Sequence, residues 1–67
     1  MLTDVQKEIL KKFADCDLKV SRTSTAMFMA QGTVNYHLRE IKRKTGLNPR
    51  SFWDLIKLLE GVRRDEN

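Results

Sequence analysis

The sequence predicts an all-α domain made of four short helices. Apolar residues recur at spacings of three and four along most of the chain, which is the periodicity of a helix with one buried face. No segment alternates apolar and polar residues as a half-buried strand would, and 67 residues leave room for only one small core. We therefore expect one compact domain over residues 1–67. Its helices are expected at approximately residues 4–14, 18–28, 31–44 and 49–62.

The first helix has a recognisable beginning and end. Thr3, followed three residues later by Gln6, predicts a capping box, in which each side chain accepts a hydrogen bond from the other residue's backbone N–H. Residues 15–17 interrupt the helical spacing and predict the end of the helix. The buried stripe is expected to consist of Val5, Ile9, Leu10 and Phe13.

The second helix is expected to begin at Leu18, with Asp17 as its N-cap, and a later start at Ser21 is the alternative. Residues 29–30 then form a turn so short that the second and third helices must lie against each other. The inward-facing residues of the second helix are expected to be Val20, Thr23, Ser24 and Met27.

The third helix carries the most informative pattern in the chain. Gly32 costs its first turn about 1 kcal/mol relative to Ala, but it also allows the backbone to approach a ligand closely. Gly46 predicts the end of the helix. Its surface outside the core stripe is rich in amide, hydroxyl and basic side chains, which can reach phosphates and base edges. The apolar stripe, at spacings of four, three and four, is Val34, Leu38, Ile41 and Thr45.

Asn48 and Pro49 predict the start of the fourth helix, as its N-cap and its first helical residue. This helix should end near Gly61–Arg63 and leave a frayed tail at residues 64–67. Its apolar stripe is expected to comprise Phe52, Leu55, Ile56, Leu59 and Val62.

Positive charge is concentrated in the middle of the chain. Residues 19–50 contain seven basic residues and one acidic residue, a net charge of +6, whereas residues 1–18 and 51–67 each carry a net charge of −1. A focused basic region attracts polyanions and steers their approach. The alternative is an ordinary solvated helix face.

Several classes of function lack the residues that they need. Cys16 is the only cysteine and His37 the only histidine, so we expect no internal disulfide, no metal site and no cofactor. No nucleophile accompanies an acid–base pair, so we expect neither an enzyme nor a small-molecule site. No apolar run approaches the ~20 residues that span a bilayer, and the N-terminus does not resemble a signal peptide. A soluble, cytoplasmic protein without a membrane partner is the simplest expectation.

Two helices joined by a short turn, with polar and basic side chains on the second, are what a DNA-reading helix-turn-helix requires. Double-stranded DNA is therefore the expected partner, and a homodimer is a candidate assembly. The candidates for base contacts are Gln31, Asn35, Tyr36 and Arg39. The candidates for phosphate contacts are Thr33, Lys19, Arg22, Lys42, Arg43 and Arg50. The candidates for a dimer or partner interface are Phe52, Trp53 and Ile56.

Some of these side chains have a second interpretation. Thr33 could simply cap the first turn of its helix, and Tyr36 could pack its ring on the second helix. Trp53 could cover the edge of the core against the first helix instead of anchoring a partner. His37 flanks the apolar stripe and is expected to be partly buried. For the whole domain, the alternative function is protein–protein interaction or dimerisation without DNA reading.

The chain resembles tetrahelical helix-turn-helix domains of two families. The resemblance to the PucR-type C-terminal domain rests on Met27–Met29, Thr33–Tyr36, Ile41, Thr45–Pro49, Phe52, Asp54–Leu55 and Leu58–Leu59. The similarity to the LuxR/GerE-type domain rests on Leu2–Thr3, Glu8–Leu10, Thr33–Val34 and His37–Leu38. The PucR-type match extends further toward the C-terminus. Either resemblance implies the DNA-binding domain of a bacterial transcription factor, usually dimeric and C-terminal to a sensory domain.

The chain departs from these families at three positions. Lys19 and Ala30 stand where capping side chains are usual, and Ser24 stands where Ala is usual. These residues soften the expected helix starts, because an N-cap side chain normally accepts a hydrogen bond from the first turn.

Overall fold

The computed structural model describes residues 2–66, and within this part of the chain there are four α-helices and no β-strand. The predicted all-α class and four-helix order are therefore confirmed. The helices are α1 (Asp4–Asp15), α2 (Val20–Met27), α3 (Gln31–Thr45) and α4 (Phe52–Glu66).

α1 begins with the predicted capping box. Thr3 Oγ1 accepts a hydrogen bond from the Gln6 backbone N–H over 3.1 Å, and Gln6 Oε1 accepts one from the Thr3 N–H over 3.2 Å. The prediction that Val5 is buried is wrong, because its side chain is 47% exposed, whereas Gln6 is only 3% exposed. The capping box holds the Gln6 side chain against α3, and this leaves Val5 outside the core.

α2 begins later than predicted. Asp17 and Leu18 have φ angles of +58° and +60°, in the left-handed region, so neither Leu18 as the first helical residue nor Asp17 as the N-cap is correct. The Leu18 N–H instead donates to the Phe13 carbonyl oxygen over 2.8 Å, which folds the chain back over the end of α1. Lys19 becomes the N-cap, without a capping hydrogen bond from its side chain.

α4 also begins later than predicted, at Phe52 and not at Pro49. Asn48 does act as a cap, but it caps a turn. Its Oδ1 accepts from the Arg50 N–H over 3.0 Å, and its carbonyl accepts from the Ser51 N–H over 2.9 Å. Pro49 is fully buried in this turn. The predicted helix start was therefore a well-capped turn that precedes the helix.

The other end of α4 extends beyond the predicted end, as far as Glu66. Lys11 Nζ of α1 lies 2.6 Å from a carboxylate oxygen of Glu66, and Lys7 Nζ lies 3.8 Å from Asp65 Oδ2. The hydrogen bond that Lys11 donates to the Glu66 carboxylate raises the pKa of Lys11. These exposed ion pairs join the last turn of α4 to α1, so residues 64–66, which were predicted to fray, are helical. Asn67, the last residue of the predicted frayed tail, lies outside the described residues.

α1 packs against each of the other three helices, and α2 packs against α3. Besides Val5, two more residues of the predicted stripes are exposed. Thr45 donates its hydroxyl to the Ile41 carbonyl over 2.7 Å. Phe52 is 59% exposed, and Leu58 is the α4 residue that lies in the core in its place.

Within residues 2–66, no helix is both long and apolar enough to cross a membrane. The core consists of Ile9, Leu10, Phe13, Val34, Leu38, Ile41, Leu55, Leu58 and Val62.

Candidate nucleic-acid interface

α3 separates its buried residues from its exposed residues. Val34, Leu38 and Ile41 are each at most 1% exposed. Successive residues of an α-helix are rotated by about 100° around its axis, so a second set of residues lies opposite this stripe. All members of that set are exposed. We call it the outer face of α3: Gly32, Tyr36, Arg39 and Arg43.

The N-terminus of α3 is open to an approaching ligand. Its N-cap, Ala30, offers no side-chain hydrogen bond, and its carbonyl accepts from the Thr33 and Val34 N–H groups at 3.0 and 3.2 Å. The N–H groups that precede these have no acceptor within the helix. A Cβ atom built on Gly32 would meet no atom from the rest of the fold within 4 Å, beyond its own helical turn. A polyanion can therefore come close to the backbone at this point.

The turn between α2 and α3 is short and strained. Phe28 ends α2 with φ +56° and ψ +44°, a left-handed conformation that is unfavourable for a bulky residue, and its side chain is 97% exposed. The Met29 N–H donates to the Ser24 carbonyl over 3.0 Å, and Met29 packs against the core. Met29 therefore faces inward, while Phe28 remains in solvent three residues before the start of α3.

Tyr36 points outward. Its side chain is 52% exposed, and its ring meets His37 edge-on with 5.3 Å between the ring centroids. The half-buried His37 has the predicted partial burial, and its Nδ1 lies 3.4 Å from Gln6 Nε2. Gln6 Oε1 also accepts from Lys44 Nζ over 3.0 Å. His37 and Lys44 thus belong to the flank of α3 that faces α1, and Tyr36 stays on the outer face.

Arg43 is held by the only acidic residue of α3. Its Nη2 and Nε donate to the carboxylate of Glu40 at 2.7 and 3.2 Å. The hydrogen bond from Arg43 is the main reason why the pKa of Glu40 lies below its ordinary value, and the same bond raises the pKa of Arg43. One of the two guanidiniums on the outer face is therefore partly neutralised before any ligand binds.

Asn35 and Arg50, predicted to act separately, are brought together. Arg50 Nη2 donates to Asn35 Oδ1 over 2.6 Å, although the two residues stand 15 positions apart. The contact places the loop between α3 and α4 beside the outer face. Asn35 is half-buried, and Arg50 is exposed.

The remaining predicted phosphate contacts surround this surface, and all of them are exposed. Lys19 and Arg22 lie at the start of α2, where Arg22 Nη1 is 3.5 Å from Asp17 Oδ2. That pair is exposed on both sides and weak. Lys42 and Thr33 lie on opposite flanks of α3. Gln31, the fourth candidate for base contacts, is the exposed first residue of α3.

Two of the three predicted dimer or partner residues form an aromatic pair at the start of α4. Phe52 and Trp53 are 59% and 70% exposed, and their rings meet edge-on with 5.1 Å between centroids. Trp53 is thus too exposed to cover the edge of the core, and Ile56 is half-buried. Among residues 2–66, no cluster of His, Cys, Asp or Glu could hold a metal ion, and Cys16 is a half-buried free thiol.

Two residues that shape this surface were not predicted to do so. Gln6 joins α1 to His37 and Lys44, whereas the sequence indicated only its part in the capping box with Thr3. Phe28 had no signal, because its backbone conformation follows from the way the chain turns between α2 and α3.

Comparisons with known proteins place the chain in a family. Searches of curated proteins and of solved structures each found no match. None of these comparisons supports the similarity to the LuxR/GerE-type domain. A family model described as the PucR C-terminal helix-turn-helix domain matches residues 7–63. This range includes α2, α3 and most of α1 and α4, and the chain therefore belongs to the PucR C-terminal helix-turn-helix domain family.

Proposed function

We propose that this domain binds double-stranded DNA in a sequence-specific manner, as part of a transcriptional regulator in the bacterial cytoplasm. The observation that carries the proposal is the outer face of α3, where two arginines and a tyrosine stand opposite the core stripe. Such a face is suited to the major groove, which admits an α-helix. Membership of a helix-turn-helix family supports the same function.

Each part of the surface has a role in this mechanism. The N-terminal half of α3 meets base edges through Gln31, Asn35, Tyr36 and Arg39. The surrounding side chains hold the phosphates on either side of the groove: Thr33, Lys19, Arg22, Lys42, Arg43 and Arg50. No catalytic step, metal or cofactor takes part.

A homodimer would read two half-sites about one helical turn apart. The aromatic pair Phe52 and Trp53, together with Ile56, is the proposed interface. Exposed aromatic side chains are frequent anchors of such interfaces, and this pair lies on a different helix from the DNA-reading residues.

The first test is fluorescence anisotropy of labelled random-sequence duplex DNA at about 50 and 200 mM salt. Binding at low salt that falls by roughly 10³-fold or more across this range is expected for about six phosphate contacts. No binding at low salt, with the circular dichroism still helical, would contradict the proposal.

Two substitutions separate base contacts from phosphate contacts. Arg39→Ala should lower the affinity for a selected site more than for random DNA. Lys42→Ala should weaken binding to all sequences alike and reduce the slope of log affinity against log salt by about 1. Both residues are exposed, so the thermal unfolding of both variants should match the parent. If both bound every duplex like the parent at every salt concentration, this docking mode would be wrong.

The exposed Phe52–Trp53 pair favours a second candidate function, which is protein interaction or dimerisation without DNA reading. It predicts that Trp53→Ala abolishes partner binding while changes in α3 leave it intact. The salt titration above distinguishes the two, because this candidate requires no salt-dependent binding to DNA.

A further inference from the structure

The side of α4 that faces away from the core carries a regular stripe of exposed residues. Leu55, Leu58 and Val62 are buried, and successive residues of a helix are rotated by about 100° around its axis. Four residues at spacings of four, three and four therefore lie opposite the buried ones, and all four are exposed. We call them the outer stripe of α4: Trp53, Lys57, Glu60 and Arg64.

The three charged residues of the outer stripe stand at spacings that would allow them to pair with each other. Glu60 follows Lys57 by three residues and precedes Arg64 by four, and ion pairs form along a helix at these spacings. Yet among residues 2–66 the structure forms no ion pair with any of the three side chains. Asp65, next to Arg64 in the chain, does pair with α1. The charges of the stripe are therefore available to another molecule.

The order of side chains along the stripe is complementary to its own reverse. Residues that meet across a twofold axis contact each other reciprocally. In an antiparallel pair of α4 helices whose twofold axis passes between Lys57 and Glu60, each of these residues lies about 2 Å along the helix from the axis. Lys57 of each copy then faces Glu60 of the second copy. Trp53 and Arg64 lie about 8 Å from the axis and face each other in the same way.

Both kinds of contact are favourable. Lys57 and Glu60 carry opposite charges, and a guanidinium over an indole ring gains a cation–π interaction, for which Trp provides the best ring. Twofold symmetry makes each contact twice. A parallel pair would instead set Lys57 against Lys57 and Glu60 against Glu60, and like charges that face each other oppose binding. The charge pattern therefore favours a second copy of the chain, in antiparallel orientation, as the occupant of this face.

We propose that two copies of the chain pair through antiparallel α4 helices, an inference that rests on the homodimer proposed above and adds its orientation and its contacts. Lys57 and Glu60 form the two central ion pairs, one on each side of the twofold axis. Trp53 and Arg64 close the contact at both ends. A single pair of helices buries little surface, so the dimer is weak in solution.

Charge reversal tests the pairing by sedimentation velocity in the absence of DNA. Lys57→Glu sets two carboxylates against each other in both central contacts, and Glu60→Lys does the same with two ammonium groups. Each single variant should weaken dimerisation by roughly tenfold or more. The double variant Lys57→Glu/Glu60→Lys restores opposite charges and keeps the net charge of the parent. Its dimerisation constant should therefore return to within about threefold of the parent value.

The reversal of charge is necessary for this test. A neutral change such as Glu60→Gln is less informative, because an exposed ion pair contributes little and Gln can still accept a hydrogen bond. Lys12→Glu, an exposed reversal on α1, is the control, since it changes the net charge as much as Lys57→Glu does and should leave the dimerisation constant nearly unchanged. All of these side chains are exposed, so the circular dichroism and thermal unfolding of the variants should match the parent.

The two single variants should also complement each other. Lys57→Glu has two acidic residues at the centre of its stripe, and Glu60→Lys has two basic residues there. A mixed pair therefore has opposite charges at both central contacts. An equimolar mixture should dimerise at least as strongly as the parent, although each variant alone does not.

Each outcome bears on the inference. Rescue in the double variant supports it, and so does complementation in the mixture. Single variants that dimerise like the parent, or a double variant as weak as the single ones, would overturn it, as would a parent that sediments as a monomer at every concentration. The assay contains no DNA, so these failures leave the proposed DNA binding standing. Rescue without any salt-dependent binding to DNA would instead overturn the DNA proposal and leave the antiparallel dimer in place.

Discussion

At the scale of single residues, Glu40 is the residue that we expect to limit how strongly the proposed interface binds DNA. Its carboxylate holds Arg43 through two donors, and it is the one negative charge on α3. A phosphate that approaches Arg43 must compete with this carboxylate. If the domain binds DNA as proposed, Glu40 should therefore weaken non-specific binding, which depends mainly on charge, more than it weakens the proposed contacts of Arg39 on the same face.

Replacing Glu40 by Gln should tighten binding to random duplex DNA. The change reduces the ion pair with Arg43 to at most a neutral hydrogen bond and removes a repelling charge, so we expect a gain of roughly three- to tenfold at low salt and a steeper salt dependence. Anisotropy titrations at several salt concentrations measure both quantities. Glu60→Gln, an exposed change of the same charge in α4, is the control and should have a smaller effect.

The pH dependence of the gain in DNA affinity expected for Glu40→Gln follows from the Glu40–Arg43 ion pair. Arg43 holds the pKa of Glu40 below its ordinary value of 4.5, so Glu40 is ionised throughout the range from about pH 5 to 8. The stability that the ion pair contributes is present above the ordinary value and is lost only as the pH falls through the lowered pKa. The gain on Glu40→Gln should therefore be constant between about pH 6 and 8. Equal gains in affinity from Glu40→Gln and Glu60→Gln would mean that the effect comes from net charge alone and not from the pairing of Glu40 with Arg43.

The turn between α2 and α3 is the critical feature at the scale of the elements. It is closed by a phenylalanine in the left-handed conformation, where most helices that end this way use glycine. α3, by contrast, ends at Gly46 with φ +76°, in agreement with the prediction from sequence. The two helix ends have the same type of C-cap conformation, but only the second has the residue that suits it.

Phe28→Gly should stabilise the domain. The left-handed conformation costs a residue with a Cβ about 1 kcal/mol, and a side chain that is 97% exposed loses almost no burial when it is removed. We expect a gain of up to about 1 kcal/mol in the free energy of unfolding, or roughly 4–8 °C in Tm, measured by thermal and urea unfolding.

Phe28→Ala separates the backbone effect from the loss of the ring. Alanine keeps the Cβ atom and therefore keeps the strain, so its stability should match the parent. A destabilised Phe28→Gly would mean that the aromatic ring itself supports the turn. Equal stability of both variants with the parent would mean that the left-handed conformation carries no strain at this position.

At the scale of the whole molecule, local signals predicted the helix count, the outer face of α3 and most of the core. They misplaced the start of α4, because a capping residue such as Asn48 satisfies a turn as readily as a helix. They misplaced the start of α2, because the chain folds back over the end of α1 through left-handed Asp17 and Leu18. The features that the sequence did not predict depend on contacts between distant parts of the chain. The Asn35–Arg50 hydrogen bond and the burial of Gln6 depend on how α1, α3 and the loop meet, and no periodicity encodes that. The DNA-contact roles remain predictions.

The assembly of the regulator is the last question at this scale, and Trp53 provides its test. Trp53 is 70% exposed, so Trp53→Ser should leave the thermal unfolding of the domain nearly unchanged. If the aromatic pair anchors a dimer, losing Trp53 should cost about 2 kcal/mol of association, or roughly 30-fold in the dimerisation constant. Sedimentation velocity measures this constant, and anisotropy on a duplex with two half-sites should show a parallel loss.

The matched control for Trp53→Ser is Phe28→Ala, which removes another highly exposed aromatic ring from a different helix end. The control should sediment like the parent, because Phe28 lies outside the proposed interface. The proposed interface would be wrong if the parent sedimented as a monomer at every concentration and Trp53→Ser bound DNA with unchanged affinity. Any dimer on DNA would then have to form through parts of the regulator other than the Phe52–Trp53 pair.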